Sequence, residues 1–173
     1  EKDFIMTVGS GVDLEEYKFH PMPKGDPIVL FAARLIKEKG LEDFANAAHL
    51  VKKMMPSVRF VVAGAPDYEN PNFVSLDQIN AWVDDGFFEY WGSFDSLVDV
   101  LAQASLFVYP SYYGEGIPKV LLEAASAGRV IITTDHPGCR DAIKPNISGI
   151  MVPVKNYKKL ANAIIKILDN KWL

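Results

Sequence analysis

The chain has 173 residues, 49% of them hydrophobic, with 18 basic side chains against 22 acidic ones. That length suits one domain, which buries roughly 70% of its unfolded surface and needs no disulfide or metal to fold. The apolar content excludes a mainly disordered chain, and a net charge of −4 excludes a broad cationic face for nucleic acid.

In chain order, the opening Glu1-Lys2-Asp3 runs straight into a strand-like stretch at 4–8, as expected of a piece cut from a longer protein. A Pro-rich connection, 20–27, follows. Further short apolar runs lie at 28–32, 58–63, 87–91, 106–109, 130–133 and 150–152. Their β-branched and aromatic content predicts strands, and their continuous rather than alternating apolarity predicts a parallel sheet covered on both faces. Helical spacing appears between them at 41–55, 76–85, 95–104, 118–127 and 156–168. The alternation predicts an α/β fold, a Rossmann-like parallel sheet with helices on both faces. Ligands of such sheets sit outside the carboxyl ends of the strands.

Several familiar chemistries have no motif here. The glycine fingerprint of dinucleotide sites begins at Gly9-Ser10-Gly11 but meets Leu14 where a third glycine belongs. There is no Walker loop, no Gly-x-Ser-x-Gly elbow and no His-x-x-x-His pair. Cys139 is the only cysteine, so no disulfide framework or cysteine-based zinc site is expected. His49 sits among alanines and leucine and reads as structural. Asn146-Ile147-Ser148 matches a glycosylation sequon by chance. No apolar run approaches the roughly 18 residues of a spanning helix.

Three features carry chemistry. After the strand at 106–109 comes Ser111-Tyr112-Tyr113-Gly114-Glu115-Gly116-Ile117, and Pro118 is expected in the first helical position. This is either a glycine turn that starts a helix or an anion site in which Gly116, Ile117 and Lys119 present N–H groups. Glu123 lies on an almost wholly apolar helix, where a carboxylate needs a partner. Ligand hydroxyls, a local salt bridge or a solvent-facing edge would each serve. Glu115, eight residues earlier, falls on roughly the same side. The third feature is Arg34 to Lys39, just past the strand at 28–32. There Arg34 can fork onto phosphate oxygens and Lys39 can add a point charge, while Lys37 divides evenly between that role and solubility. Cations with a helix start suit a diphosphate, and carboxylates suit sugar hydroxyls; a nucleotide-sugar carries both.

The chain resembles the C-terminal, donor-binding domain of family 4 glycosyltransferases with the GT-B fold. The matching pieces are Gly11-Val12-Asp13-Leu14, Ala33-Arg34-Leu35 with Glu38-Lys39-Gly40, Val62-Ala63-Gly64 and Trp91-Gly92-Ser93. The strongest runs from Glu115-Gly116-Ile117-Pro118-Lys119 to Glu123-Ala124-Ala125-Ser126-Ala127-Gly128. Thr133-Thr134-Asp135 and Pro137-Gly138-Cys139-Arg140-Asp141 are similar to bacterial enzymes of capsule, exopolysaccharide and lipid-linked glycan synthesis, closest to the N-acetylgalactosaminyl type.

The resemblance implies a donor domain over 1–173, a separate N-terminal acceptor domain, and retaining, metal-independent transfer from a UDP-N-acetylhexosamine to a glycan on a polyprenyl diphosphate. It implies a catalytic set of Arg34, Lys39 and Glu115. Arg34, Lys39, Gly116 and Ile117 would hold the donor phosphates, Glu115 the donor sugar and Glu123 the ribose. Trp91, Gly92, Ser93 and Leu97 would form the nucleobase loop, although Trp91 serves equally as core. The expected place is the cytoplasm, peripheral at the membrane through the acceptor domain, with no nucleic-acid partner. Alone, this half is expected to bind donor weakly and transfer nothing. Two departures stand out: Gly64-Ala65-Pro66-Asp67 replaces consecutive glycines, and His136 precedes Pro137. A non-catalytic nucleotide- or glycan-binding module and a scaffold domain are the competing readings.

Overall fold

A computed structural model describes residues 10–169. The strand expected at 4–8 lies outside the described residues. The six strands are β1 (Ile28–Ala32), β2 (Arg59–Ala63), β3 (Glu89–Gly92), β4 (Leu106–Tyr109), β5 (Val130–Thr134) and β6 (Gly149–Val152). All pair in parallel, in the order β3-β2-β1-β4-β5-β6. The helices are α1 (Leu41–Met54), α2 (Leu76–Asp84), α3 (Leu97–Gln103), α4 (Lys119–Ser126), α5 (Pro137–Arg140) and α6 (Tyr157–Asp169), with a 3-10 turn at Lys37–Lys39.

Strand periodicity divides the core into two layers. Val29, Phe31, Phe60, Val62, Leu106, Val108 and Ile132 point to one face, where Leu41, Phe44, Ala48 and Val51 of α1 and Leu160, Ile164 and Ile167 of α6 cover them. Leu30, Ala32, Val61, Ala63, Phe107, Tyr109 and Ile131 point to the other, under Leu97 and Leu101 of α3 and Leu121 and Ala124 of α4. Both faces are therefore apolar, which is why the strands read as unbroken hydrophobic runs. Each valine, leucine, isoleucine or phenylalanine among them contributes about 1.5–3 kcal/mol when fully buried.

Strand order reverses between β1 and β4. β2 runs out from one side of β1, and β5 from the far side of β4, so the loops leaving β1 and β4 diverge and open a crevice between them.

Two local expectations change. Pro118 is the residue before α4, not its first: its φ of −63° suits either position, but its ψ of 118° is extended and the helix begins at Lys119. The short α5 and the turn at Lys37–Lys39 have no apolar periodicity to announce them.

Candidate functional site

A cleft of about 390 Å³ occupies that crevice, lined by Arg34, Lys39, Glu115 and Glu123 together with Tyr17, Phe94, Asp95, Leu97 and Tyr109. Four side chains singled out for chemistry thus converge from the loop after β1, the turn before α1, the loop after β4 and α4 itself.

Lys39 is only 4% exposed. Its ammonium pairs with Glu115 Oε1 and lies 5.5 Å from the Tyr109 ring centroid and 4.6 Å from that of Tyr113. Burying an ammonium is costly unless it is paired, and this carboxylate with two aromatic faces compensates it. Tyr109 Oη also donates to Glu115 Oε1, at 3.2 Å. Burial first, and then the Glu115 charge, push the Tyr109 phenol well above its ordinary range, so it remains a donor. Tyr112 N and Ser111 Oγ both donate to the carbonyl of Glu38, tying the loop after β4 to the turn that carries Lys39.

Behind this loop stands Gly138 of α5. A Cβ at that position would overlap the carbonyl oxygens of Gly116 and Glu115. Only glycine lets the backbones pass this closely. The N–H groups of Gly116, Ile117 and Lys119 have no acceptor among the described residues, and of the three residues Lys119 lines the cleft. Orphan donors of this kind at a helix start suit an anion.

Glu123 is 6% exposed. It has protein partners: Lys119 Nζ, one helical turn earlier, lies 3.1 Å from Oε1, and the Tyr17 hydroxyl donates to the carboxylate. The local salt bridge anticipated as one of three possibilities is therefore present, and the carboxylate still lines the cleft. Burial, followed by the Glu123 charge and hydrogen bond, pushes the Tyr17 phenol up to about 12.

Arg34 extends from the rim, its side chain 60% exposed, with Nη1 2.8 Å from Asp67 Oδ2. Lys37 is exposed and does not reach the cleft. The expected nucleobase loop is split. Leu97 lines the cleft, and Ser93 lines an adjoining recess of about 330 Å³ shared with Arg34, Asp67 and Phe94. Trp91 packs on the core under α3 and donates to Glu89 at 3.5 Å, so it does not face the cleft. Gly92 ends β3, and its carbonyl accepts from Gly64 N at 2.7 Å. His49 stacks on Phe87 with ring centroids 4.6 Å apart, the structural place expected of it.

Sequence reasoning missed Tyr17, Phe94, Asp95 and Tyr109. Tyr109 closes a strand, where the carboxyl-end rule could have flagged it; Tyr17 belongs to an irregular stretch with no such signal. A larger apolar cavity, about 530 Å³, lies at the opposite end of the sheet between α4, α6 and the turn at 146–149. The cleft, not this cavity, brings cations and carboxylates together; the charged lining of the cavity is Arg129 and Lys166. Among the described residues, no three His, Cys, Asp or Glu side chains form a group able to hold a metal ion, and no helix is long and apolar enough to cross a membrane.

Fold and cleft together define a Rossmann-like domain with a mixed cationic and acidic site at its switch point. Residues 13–172 match the model of the family "Glycosyl transferases group 1", and the chain belongs to that family. It is 35% identical over 147 residues to the N,N'-diacetylbacillosaminyl-diphospho-undecaprenol alpha-1,3-N-acetylgalactosaminyltransferase of Campylobacter jejuni, covering 85% of this chain and 37% of that one. Anabaena Alr3699/HepE, solved in complex with UDP, superimposes with a TM-score of 0.80 at 18% identity, over 95% of this chain and 48% of that one. The C-terminal domain of the group 1 family protein LpcC from Francisella tularensis gives a TM-score of 0.75 at 20% identity, over 92% of this chain and 88% of that one. The chain spans 37%, 43% and 38% of the lengths of three curated relatives that it matches.

Proposed function

We propose that this chain is the donor-binding half of a retaining glycosyltransferase that takes a UDP-N-acetylhexosamine and passes its sugar to a lipid-linked glycan. The observation that carries the reading is the meeting of Arg34, Lys39, Glu115 and Glu123 in one cleft at the switch point. The Campylobacter relative, named for N-acetylgalactosaminyl transfer onto a diphospho-undecaprenol glycan, supports the choice of donor and acceptor.

In this reading Arg34 forks onto the diphosphate, while Lys39 and the N–H groups of Gly116 and Ile117 approach from the other side. Breaking the bond from the anomeric carbon to the phosphate oxygen leaves charge on the departing nucleoside diphosphate. Fixed cations and N–H groups aimed at that charge stabilise the transition state more than the bound donor. They replace a metal, and activity is expected to survive a chelator. Glu115, held by Lys39 and Tyr109, accepts from donor sugar hydroxyls; Glu123 accepts from the ribose. No nucleophile is assigned. A further N-terminal domain binds the acceptor and brings the enzyme to the cytoplasmic face of the membrane.

The test is a thermal-shift panel with UDP, GDP, ADP and UDP-N-acetylhexosamines. A ligand at 100 times its dissociation constant stabilises by about 2.7 kcal/mol. The expected result is a shift with UDP and its sugars that Arg34→Ala and Glu123→Ala each reduce. A shift with GDP or ADP alone would overturn the donor assignment. A UDP shift of unchanged size in both variants would move the site elsewhere.

A further inference from the structure

Arg34 is an exposed cation on the loop after β1, and its fixed contact is unequal. Its own side chain keeps 60% of its surface, whereas Asp67 keeps 18%. The carboxylate is built into the structure and the guanidinium is the arm.

The backbone explains why Asp67 is fixed. Gly64, at φ +139°, brings the end of β2 so close to Ala33 that a Cβ would fall on the Ala33 carbonyl oxygen. Leu35 N then donates to Ala65 O at 2.9 Å, Val74 N to Leu35 O at 2.8 Å, and Asn70 N to Asp67 O at 2.9 Å. The loop that presents Asp67 is laced to the same stretch that carries Arg34. The geometry of their contact is end-on. Nη1 alone meets Oδ2, at 2.8 Å, and the other guanidinium N–H groups have no partner among the described residues.

We propose that Asp67 is a positioning residue: it holds the Arg34 guanidinium by one corner and leaves the remaining donors for a diphosphate in the cleft. The proposal rests on the cleft being a nucleotide diphosphate site. Arg34 lines both the cleft and the recess that contains Asp67, so it stands on the ridge between them. A free arginine side chain has rotamer freedom that a ligand must remove; one anchored beforehand does not. A carboxylate gripping both arms of the fork would instead compete with phosphate, and an end-on contact leaves an edge open for two parallel bonds. In this chain the residues that leave β2 read Gly64-Ala65-Pro66-Asp67, and the last of them supplies the anchor.

The experiment is a double-mutant cycle read by titration calorimetry with UDP, GDP and ADP, with circular dichroism confirming that each variant folds. For the nucleotide that binds best, Asp67→Ala is expected to weaken affinity about tenfold, with Asp67→Asn intermediate and Asp67→Glu recovering part of the loss. In an Arg34→Ala background, Asp67→Ala should add nothing, because the residue it positions is gone. Unchanged or tighter binding in Asp67→Ala would overturn the proposal, as would the same loss persisting in the Arg34→Ala background. Should none of the three nucleotides bind, or should Arg34→Ala leave affinity unchanged, the nucleotide reading itself fails and the proposal with it.

Discussion

Tyr17 illustrates how single side chains complete this site. It arrives from an irregular stretch and is 106 residues from Glu123 in sequence (123 minus 17), yet its hydroxyl donates to that carboxylate. Its phenol is pushed up to about 12, so the folded state favours the protonated form. The stability this supplies is complete below the ordinary tyrosine value of about 10 and is lost as pH rises from there through about 12. Tyr17→Phe should therefore flatten the alkaline fall in unfolding free energy by up to one proton equivalent, as read by urea unfolding between those pH values. Tyr109, raised in the same direction, keeps its own share of the slope in that variant. At this scale the cations and carboxylates were legible, because Arg34 and Lys39 follow a strand and Glu123 interrupts an apolar helix. Their pairing was legible only in part. Lys119 and Glu123 stand four apart on one helix, a spacing that brings side chains together, whereas Lys39 with Glu115 and Arg34 with Asp67 depend on loop geometry that residue spacing does not encode.

Elements follow a simpler rule. The central strands β1 and β4 were readable because both faces of the sheet are covered there, so each is apolar throughout, and β2 is apolar past Arg59. The four-residue α5 was not, since a single turn has no periodicity to detect. Yet α5 shapes the site, because Gly138 gives the Glu115–Gly116 backbone its room. Gly138→Ala must move that loop by the width of a methyl group, because the obstructing atoms are backbone carbonyls. Overpacking of this kind costs about 1–3 kcal/mol. Nucleotide affinity should fall by more than the melting temperature suggests, because the displaced loop carries both the N–H donors and Glu115. Calorimetric titration set beside a thermal melt of the same variant checks this.

For the whole molecule, one buried cation joins distant parts. Arg129, just before β5, donates to the carbonyls of Ala104, His20, Pro21 and Ala127, with no carboxylate among its hydrogen-bond partners in the described residues. Its guanidinium thereby fastens the stretch before β1 and the end of α3 to the turn after α4. Burial lowers its pKa from the ordinary arginine value. Arg129→Met takes the side-chain donor from the buried Ala104 carbonyl and the half-buried His20 carbonyl and should cost about 2–4 kcal/mol in urea unfolding. Arg129→Lys should recover little, because one ammonium cannot span the positions that a planar fork reaches.

The strand order also has a consequence for synthesis. β1 has β2 on one side, but its other side waits for β4, and the bond from Ile28 N to Ser105 Oγ, at 3.3 Å, joins residues 77 apart. While the chain is still emerging from the ribosome, the first three strands can pair among themselves and leave β1 as an open, wholly apolar border. A nascent chain stalled before residue 105 would present that border to its neighbours. The half-made protein is thus the state most prone to self-association, and the step that protects it is the docking of β4.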